Sequence, residues 1–242
     1  MTFPALSAKV RPADALVFFD FEGTQFSHKA IALGLLLVPK KKGDLFSGET
    51  PVPYSCYLQT KDSIGPLVKK MTGITPQLLR EKGVTFSKML SDVKELLVPY
   101  SEPLFVSYGK NDTMMLSRSL DFGKPEEVKD RLYLFQHYFD FEAYLSRYLV
   151  GPDGMPLSIH RLLDLYQIPT EGRLHDPLSD SRALLSIYQA FVRDEKESVD
   201  RVLSCYGSNR ILWKPAKALA DQLLEKGSVT LDDFRKEIAK SL

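Results

Sequence analysis

The run Ala15-Leu16-Val17-Phe18-Phe19-Asp20-Phe21-Glu22-Gly23-Thr24 is apolar, aromatic and β-branched, and two carboxylates interrupt it near its end. Such a run makes a buried strand. Side chains alternate across a strand, so Asp20 and Glu22 share one face, roughly 6–7 Å apart, while Phe19 and Phe21 face a core on the other. Two carboxylates so placed repel each other and are costly to desolvate unless a cation sits between them. A strand end whose acids reach water is the competing reading, and acids farther along the chain bear on the choice. Asp112 is followed by apolar Met115, Leu116 and Leu120 at three, four and eight positions, so it heads the inward stripe of a helix. A first-turn aspartate that caps free amides is its alternative. Asp180 repeats the pattern, with Leu184, Ile187, Tyr188 and Phe191 at four, seven, eight and eleven positions. His175 stands just ahead on a loop, where it could swing over whatever Asp180 holds.

Four hard oxygen donors without cysteine suit Mg²⁺ or Mn²⁺ and argue against a structural zinc. Two such ions about 3.5–4 Å apart let one polarise a water while the other steadies the leaving oxygen of a phosphodiester. A histidine with a pKa near neutrality can take the proton from that water, which gives His175 a task as general base. His28, His137 and His160 do not stand in this relation to a carboxylate motif; His137 reads as packed in or beside a strand and His160 as lying on an amphipathic helix. A second Asp-Phe-Glu tripeptide, Asp140-Phe141-Glu142, runs into a helical stretch over 143–149, so Asp140 reads as an N-cap and Glu142 as a first-turn acid.

The elements that must carry these residues follow in order. After a loop over 24–29, residues 30–38 make a second buried strand, residues 39–44 a polar hairpin connection with the Lys40-Lys41-Lys42 triplet at a solvated tip, and residues 54–60 a third strand in an antiparallel meander. Residues 63–100 are helical in pieces, broken at Gly73, with Thr75 and Pro76 as N-cap and first-turn residue of the next segment. Phe86, Met89, Leu90, Val93, Leu96 and Leu97 form a core-facing stripe. Residues 103–108 are a strand leading to Asp112, and 132–138 a further strand. Residues 157–168 form an amphipathic helix, and 169–174 a loop delivering His175 and Asp180 to a long helix. Beyond 194 the spacing predicts short helices over 195–206, 215–225 and 231–239, the last opened by a Thr230 and Asp233 capping box. Nothing there reads as catalytic, and Trp213 reads as packing.

With 242 residues the chain accommodates one large α/β domain over 1–193 and a helical C-terminal extension over 194–242. Thirty-two basic residues against thirty-one acidic ones exclude the strongly basic surface of a protein that coats long duplexes, so contact with a polyanion is local. The longest apolar run, 31–38, is too short to span a bilayer, and the N-terminus has no signal-peptide pattern, so no membrane contact is expected. Two distant cysteines, Cys56 and Cys205, fit a reducing compartment, and a cytoplasmic protein is expected.

Asp20-Phe21-Glu22-Gly23-Thr24, then Asp112, then His175 with Asp180 five positions later resemble the three motifs of the DEDDh branch of 3′-to-5′ exonucleases, the family of ribonuclease T, oligoribonuclease and the bacterial polymerase proofreading subunit. Thr72-Gly73-Ile74-Thr75 and the Tyr108-Gly109-Lys110-Asn111-Asp112 segment share the likeness, which covers roughly residues 14–192. The resemblance implies a ribonuclease-H-like fold, a mixed five-stranded sheet whose first three strands are antiparallel, flanked by helices. It implies two metal ions on Asp20, Glu22, Asp112 and Asp180, His175 as general base, and Thr24, with Gly23, Phe21 and Tyr108, seating the 3′-terminal nucleotide. Pro177 and Ser181 stand where the family has alanine, which bears on substrate fit more than on chemistry. The implied function is a metal-dependent 3′-to-5′ exonuclease on single-stranded nucleic acid, releasing nucleoside 5′-monophosphates; the family supports both RNA and DNA, and RNA or short oligonucleotides are slightly favoured here. The alternatives are a non-catalytic binding module on the same fold and a nuclease subunit that docks, as a homodimer or in a larger complex, through its C-terminal helices. Four mutually repelling acids kept together argue against the module.

Overall fold

A computed structural model describes residues 3–121, 124–151, 153–169, 172–173, 175–204 and 213–241. A short helix α1 (Pro4–Val10) precedes the central strand β1 (Ala15–Gly23), which is followed by β2 (Ala30–Pro39) and β3 (Val52–Leu58). Helices α2 (Pro66–Thr72) and α3 (Pro76–Lys82), the two-residue strand β4 (Gly83–Val84) and helix α4 (Phe86–Leu97) lead to β5 (Pro103–Ser107). Then come α5 (Asn111–Ser119), α6 (Pro125–Gln136), β6 (Tyr138–Asp140), α7 (Phe141–Leu145) and α8 (Ile159–Leu165). The long α9 (Pro177–Arg193) is followed by α10 (Glu195–Ser204), α11 (Trp213–Lys226) and α12 (Leu231–Ser241).

The sheet runs β4-β3-β2-β1-β5-β6. As expected, β1, β2 and β3 form an antiparallel meander, each pairing antiparallel with the next, and β5 and β6 join in parallel on the far side of β1. The sheet has six strands rather than five, because Gly83–Val84 pairs in parallel with Tyr57 and Leu58 at the β3 edge. Two residues carry no alternation for a sequence to display. The strand expected over 132–138 is also corrected. Pro125 at the first helical position, with Glu126 and Glu127 in the first turn, starts a helix that runs to Gln136, and only Tyr138–Asp140 extends as strand.

Alternation along β1 sorts its side chains onto two cores. Leu16 and Phe18 join Leu36, Val38 and Val106 with Leu184, Ile187, Tyr188 and Phe191 of α9 in one cluster. Val17, Phe19 and Phe21 lie on the other face with Leu33, Leu35, Leu37, Leu116 of α5 and the α4 stripe. Asp20 and Glu22 therefore extend the α9 face. Val199, Val202, Ile238 and Ala239 carry α10 and α12 into the α9-side cluster alongside Phe3, Leu6 and Val10 of α1.

Several local expectations hold. Gly73 ends α2 in the left-handed conformation (φ +72°), and the Thr75 hydroxyl accepts from Leu78 N. Asp140 Oδ1 accepts from Ala143 N at 2.9 Å. Thr230 and Asp233 exchange backbone and side-chain hydrogen bonds as a capping box. The helix expected over 157–168 is shorter, opening after the Ser158 cap and closing at Leu165. Lys40 departs from the solvated-tip reading: it is 6 % exposed, and its ammonium donates to the carbonyls of Ala13 and Lys41. The expectations for Cys205, for the Trp213 side chain and for Thr170, Glu171 and Leu174 lie outside the described residues. Among the described residues no helix is long and apolar enough to cross a membrane.

Candidate active site

The site is built where β1 outruns its neighbour. Parallel pairing of β1 with β5 ends at Phe18 and Val106, so the backbone of Phe21 is left without a β5 partner. Asp112 Oδ1 takes that N–H at 2.7 Å. The bond crosses 91 residues of sequence and sets the second-motif aspartate beside Asp20 and Glu22. Asp112 is 4 % exposed. It is not the cap of α5, whose N-cap position is Lys110.

Asp180 arrives from the other side, on the first turns of α9. This helix lies against β2 at Gly34, the residue paired with Asp20 across the β1–β2 ladder. A side chain at Gly34 would require α9 to shift, since a Cβ there would sit 2.1 Å from Leu178 N. Ser181, fully buried, closes the contact: its hydroxyl lies 3.0 Å from Gly34 O and 2.8 Å from Pro177 O. Pro177 and Ser181 both have packing roles at this contact. Pro177 starts the helix at its first position, and Ser181 pins it to the strand.

His175 sits on the loop ahead of α9 with a positive φ of 59°, a left-handed backbone that a non-glycine residue holds only when its surroundings impose it. Its Nδ1 is 3.8 Å from Glu22 Oε1. Glu22, His175 and Asp180 each offer one ligand atom within 4.8 Å of the other two. Cys56 packs instead in the cluster on the opposite face of the sheet. The carboxylates of Glu22 and Asp180 are hard oxygen donors able to hold a divalent cation.

The electrostatics point the same way. Burial, then the charges of Asp112, Asp180 and Glu22, push the Asp20 carboxyl well above the usual carboxylate range. Burial and the facing Asp180 and Asp112 raise Glu22 to about 8. Burial raises Asp112 to about 7 against the opposing pull of the Phe21 N–H. Burial raises Asp180 as well, partly offset by His175. Nothing intrinsic to the fold requires four acids to be desolvated together, so their arrangement calls for a counter-charge.

The four predicted acids and His175 are therefore brought together. Thr24 is placed at the β1–β2 turn, 1 % exposed, where its hydroxyl accepts from Lys29 N and meets Ser27 Oγ at 2.6 Å. The Phe21 side chain is buried in the second core. Gly23 admits Met115 of α5, whose Sδ would lie 2.7 Å from a Cβ. Tyr108 donates its hydroxyl to Leu157 O and lines a cavity of about 410 Å³ that also contains His175 and Asp180. Sequence reasoning passed over two neighbours. Asp176 caps α9 by accepting from Ser179 N, and its charge also acts on Asp20 and Glu22. His160 of α8 lines the same cavity and acts on Asp180. Helical spacing offered no signal for Asp176, which stands at the cap ahead of α9, and it marked His160 only as a residue of an amphipathic helix.

No protein-family model and no curated protein sequence matches the chain. Solved structures do. The nuclease domain of 3′hExo, a DEDDh family member bound to rAMP, superposes with a TM-score of 0.52 at 17 % identity over 75 % of this chain and 93 % of its own. A 3′-exonuclease that recognises the histone mRNA stem-loop gives 0.55 at 17 % identity, over 75 % of this chain and 64 % of its own. Escherichia coli exonuclease I in complex with a dT13 oligonucleotide gives 0.56 at 16 % identity, over 86 % of this chain and 46 % of its own. The chain thus spans nearly all of the 3′hExo nuclease domain, 64 % of the stem-loop 3′-exonuclease and under half of exonuclease I. The class that emerges is the ribonuclease-H-like α/β fold as 3′-exonucleases build it.

Proposed function

We propose that the chain is a divalent-metal-dependent 3′-to-5′ exonuclease of the DEDDh type, acting on single-stranded nucleic acid and releasing nucleoside 5′-monophosphates. The observation that carries this reading is the convergence of Asp20, Glu22, Asp112 and Asp180, from one strand and two helix starts, on a pocket that His175 overhangs. The four carboxylates would hold two Mg²⁺ or Mn²⁺ ions. When bound, these supply the positive charge that offsets the acids and the charge that develops on a phosphodiester. His175, partly exposed and facing Glu22, accepts the proton of the attacking water. The new bond joins the water oxygen to phosphorus, the bond to the 3′ oxygen of the preceding nucleotide breaks, and that oxygen leaves with a proton. Thr24, Gly23 and Tyr108 border the place of the terminal nucleotide, whereas the Phe21 side chain, buried in the core on the other face of the sheet, does not reach it. Balanced surface charge suits a strand held by its last few nucleotides, and RNA or short oligonucleotides are slightly favoured over DNA as substrate. The C-terminal helices serve as the assembly surface, where Leu223, Leu224 and Leu231 are exposed.

The test is digestion of a 5′-labelled single strand in Mn²⁺. A ladder shortening from the 3′ end, with nucleoside 5′-monophosphates as product and full loss in EDTA, upholds the reading. Binding of the strand without cleavage, indifferent to EDTA, contradicts it and favours a binding module.

A further inference from the structure

The chain reaches Asp112 through a tight connection. β5 ends at Ser107 and α5 begins at Asn111, so Tyr108, Gly109 and Lys110 must redirect it within three residues. Gly109 does so with a φ of +93°, and nothing local holds a glycine there, since it has more backbone freedom than any other residue. The restraint comes from the neighbouring strand β6. Phe105 pairs with Tyr138 and Ser107 with Asp140, so alternation puts the Ser107 and Tyr138 side chains on one face, diagonally opposed. Both hydroxyls meet the Gly109 carbonyl, Ser107 Oγ at 2.8 Å and Tyr138 Oη at 2.9 Å, and they lie 2.8 Å from each other. Two hydroxyl protons thus serve three oxygens. The Gly109 N–H donates in turn to Asp140 Oδ1 at 3.2 Å, and Asp140 is itself fixed as the cap of α7. Ser107 and Gly109 are buried, where an unpaired polar group is costly. Packing against the Phe105 and Leu116 cluster needs only the Tyr138 ring. Its hydroxyl serves Gly109 and also Thr113, the residue after Asp112.

We propose that Tyr138 and Ser107 are positioning residues for Asp112, setting its carboxylate for metal binding by clamping the Gly109 turn. The inference rests on the function proposed above and deepens it, by naming what holds one acid in place among three others that repel it. The Asp112 carboxylate is anchored at Phe21 N, and its backbone is anchored at the turn. With the turn released, the first residues of α5 can yield to the repulsion and carry the carboxylate away from its neighbours. Groups that bond directly to a metal ligand are typically worth about 10–100-fold in affinity. These act one step farther out, so each hydroxyl contributes about what one net hydrogen bond does, roughly three- to tenfold.

Tyr138→Phe, Ser107→Ala and the double variant test this against Tyr188→Phe, which loses a tyrosine hydroxyl elsewhere in the fold, the donor to Leu45 O. Melting temperatures in EDTA check that each variant is folded. The first readout is calorimetry of Mn²⁺ binding to the metal-free chain. Each single variant should bind about three- to tenfold more weakly and the double variant at least about tenfold, with Tyr188→Phe within about twofold of wild type. The second is cleavage of a 5′-labelled single strand. The Mn²⁺ concentration giving half the maximal rate should rise in the same proportion, while KM for the strand in saturating Mn²⁺ stays within about twofold. Mn²⁺ affinity within about twofold of wild type in the double variant, an equal loss in Tyr188→Phe, or a rise in strand KM in place of the metal requirement overturns the assignment and leaves the nuclease reading standing. A wild-type chain that binds Mn²⁺ and cleaves nothing defeats the nuclease reading, and weaker Mn²⁺ binding in the Tyr138 and Ser107 variants then still upholds the clamp. A wild-type chain that binds no Mn²⁺ overturns both.

Discussion

Substitution separates the roles proposed for the acids from that proposed for the histidine. Asp180→Asn and Asp20→Asn remove a ligand and a repelling charge at once. Both should abolish strand cleavage while raising the melting temperature in metal-free buffer, because the carboxyls they replace are held above their ordinary range by burial and by one another. Unchanged turnover in either variant removes that residue from the site. His175→Ala should keep Mn²⁺ affinity near wild type and lose roughly 10²–10⁴-fold in kcat, the usual contribution of a general base; a calorimetric titration beside a rate measurement separates the two. At this scale the sequence was readable wherever a side chain lay on a periodic element. Strand alternation put Asp20 beside Glu22, and helical spacing put Asp112 and Asp180 at the heads of buried stripes. Asp176 left no such trace, since the loop ahead of α9 that carries it has no period.

Between elements, the decisive contact is α9 on β2. Gly34 faces the backbone of Leu178, and Ser181 bridges back to Gly34 O, so the helix that carries Asp180 can approach only a bare strand. Gly34→Val should force α9 off the sheet, lowering stability by about 1–3 kcal/mol as overpacked cores do, and abolishing cleavage through displacement of Asp180. Ser181→Ala should cost about 1 kcal/mol, the net value of one buried hydrogen bond, with activity largely retained. Denaturant unfolding read against cleavage rate checks both; a fully active, wild-type-stable Gly34→Val chain would show that the helix is placed by other contacts. This device was illegible beforehand because its partners lie 147 residues apart. The same limit explains the two element-level corrections. A short apolar run such as 132–138 does not by itself distinguish strand from helix, and the paired fragment Gly83–Val84 is too brief for any pattern.

For the molecule as a whole, the gathered acids make stability depend on pH in an unusual direction. Folded carboxyls with pKa values above their unfolded values near 4 mean that the native state holds extra protons. Their contribution is therefore complete below about pH 4 and is lost as pH rises through about 7 for Asp112 and about 8 for Glu22. In EDTA the melting temperature should fall between pH 5 and pH 8.5. Saturating Mn²⁺ should reverse the fall, and Asp20→Asn should flatten it. The sheet, its antiparallel first half and the order of the motifs were legible because they arise from long, strongly patterned segments; the desolvation of the acids became visible only when β1, α5 and α9 were seen to meet. The most direct measurement is calorimetric titration of Mn²⁺ into the metal-free chain at pH 7, in two buffers of different ionisation enthalpy. Partly protonated ligands must shed protons as the ion binds, so the predicted result is saturable binding whose heat differs between the buffers, lost in Asp180→Asn. No binding, or heat that does not change with the buffer, would contradict a buried carboxylate metal centre.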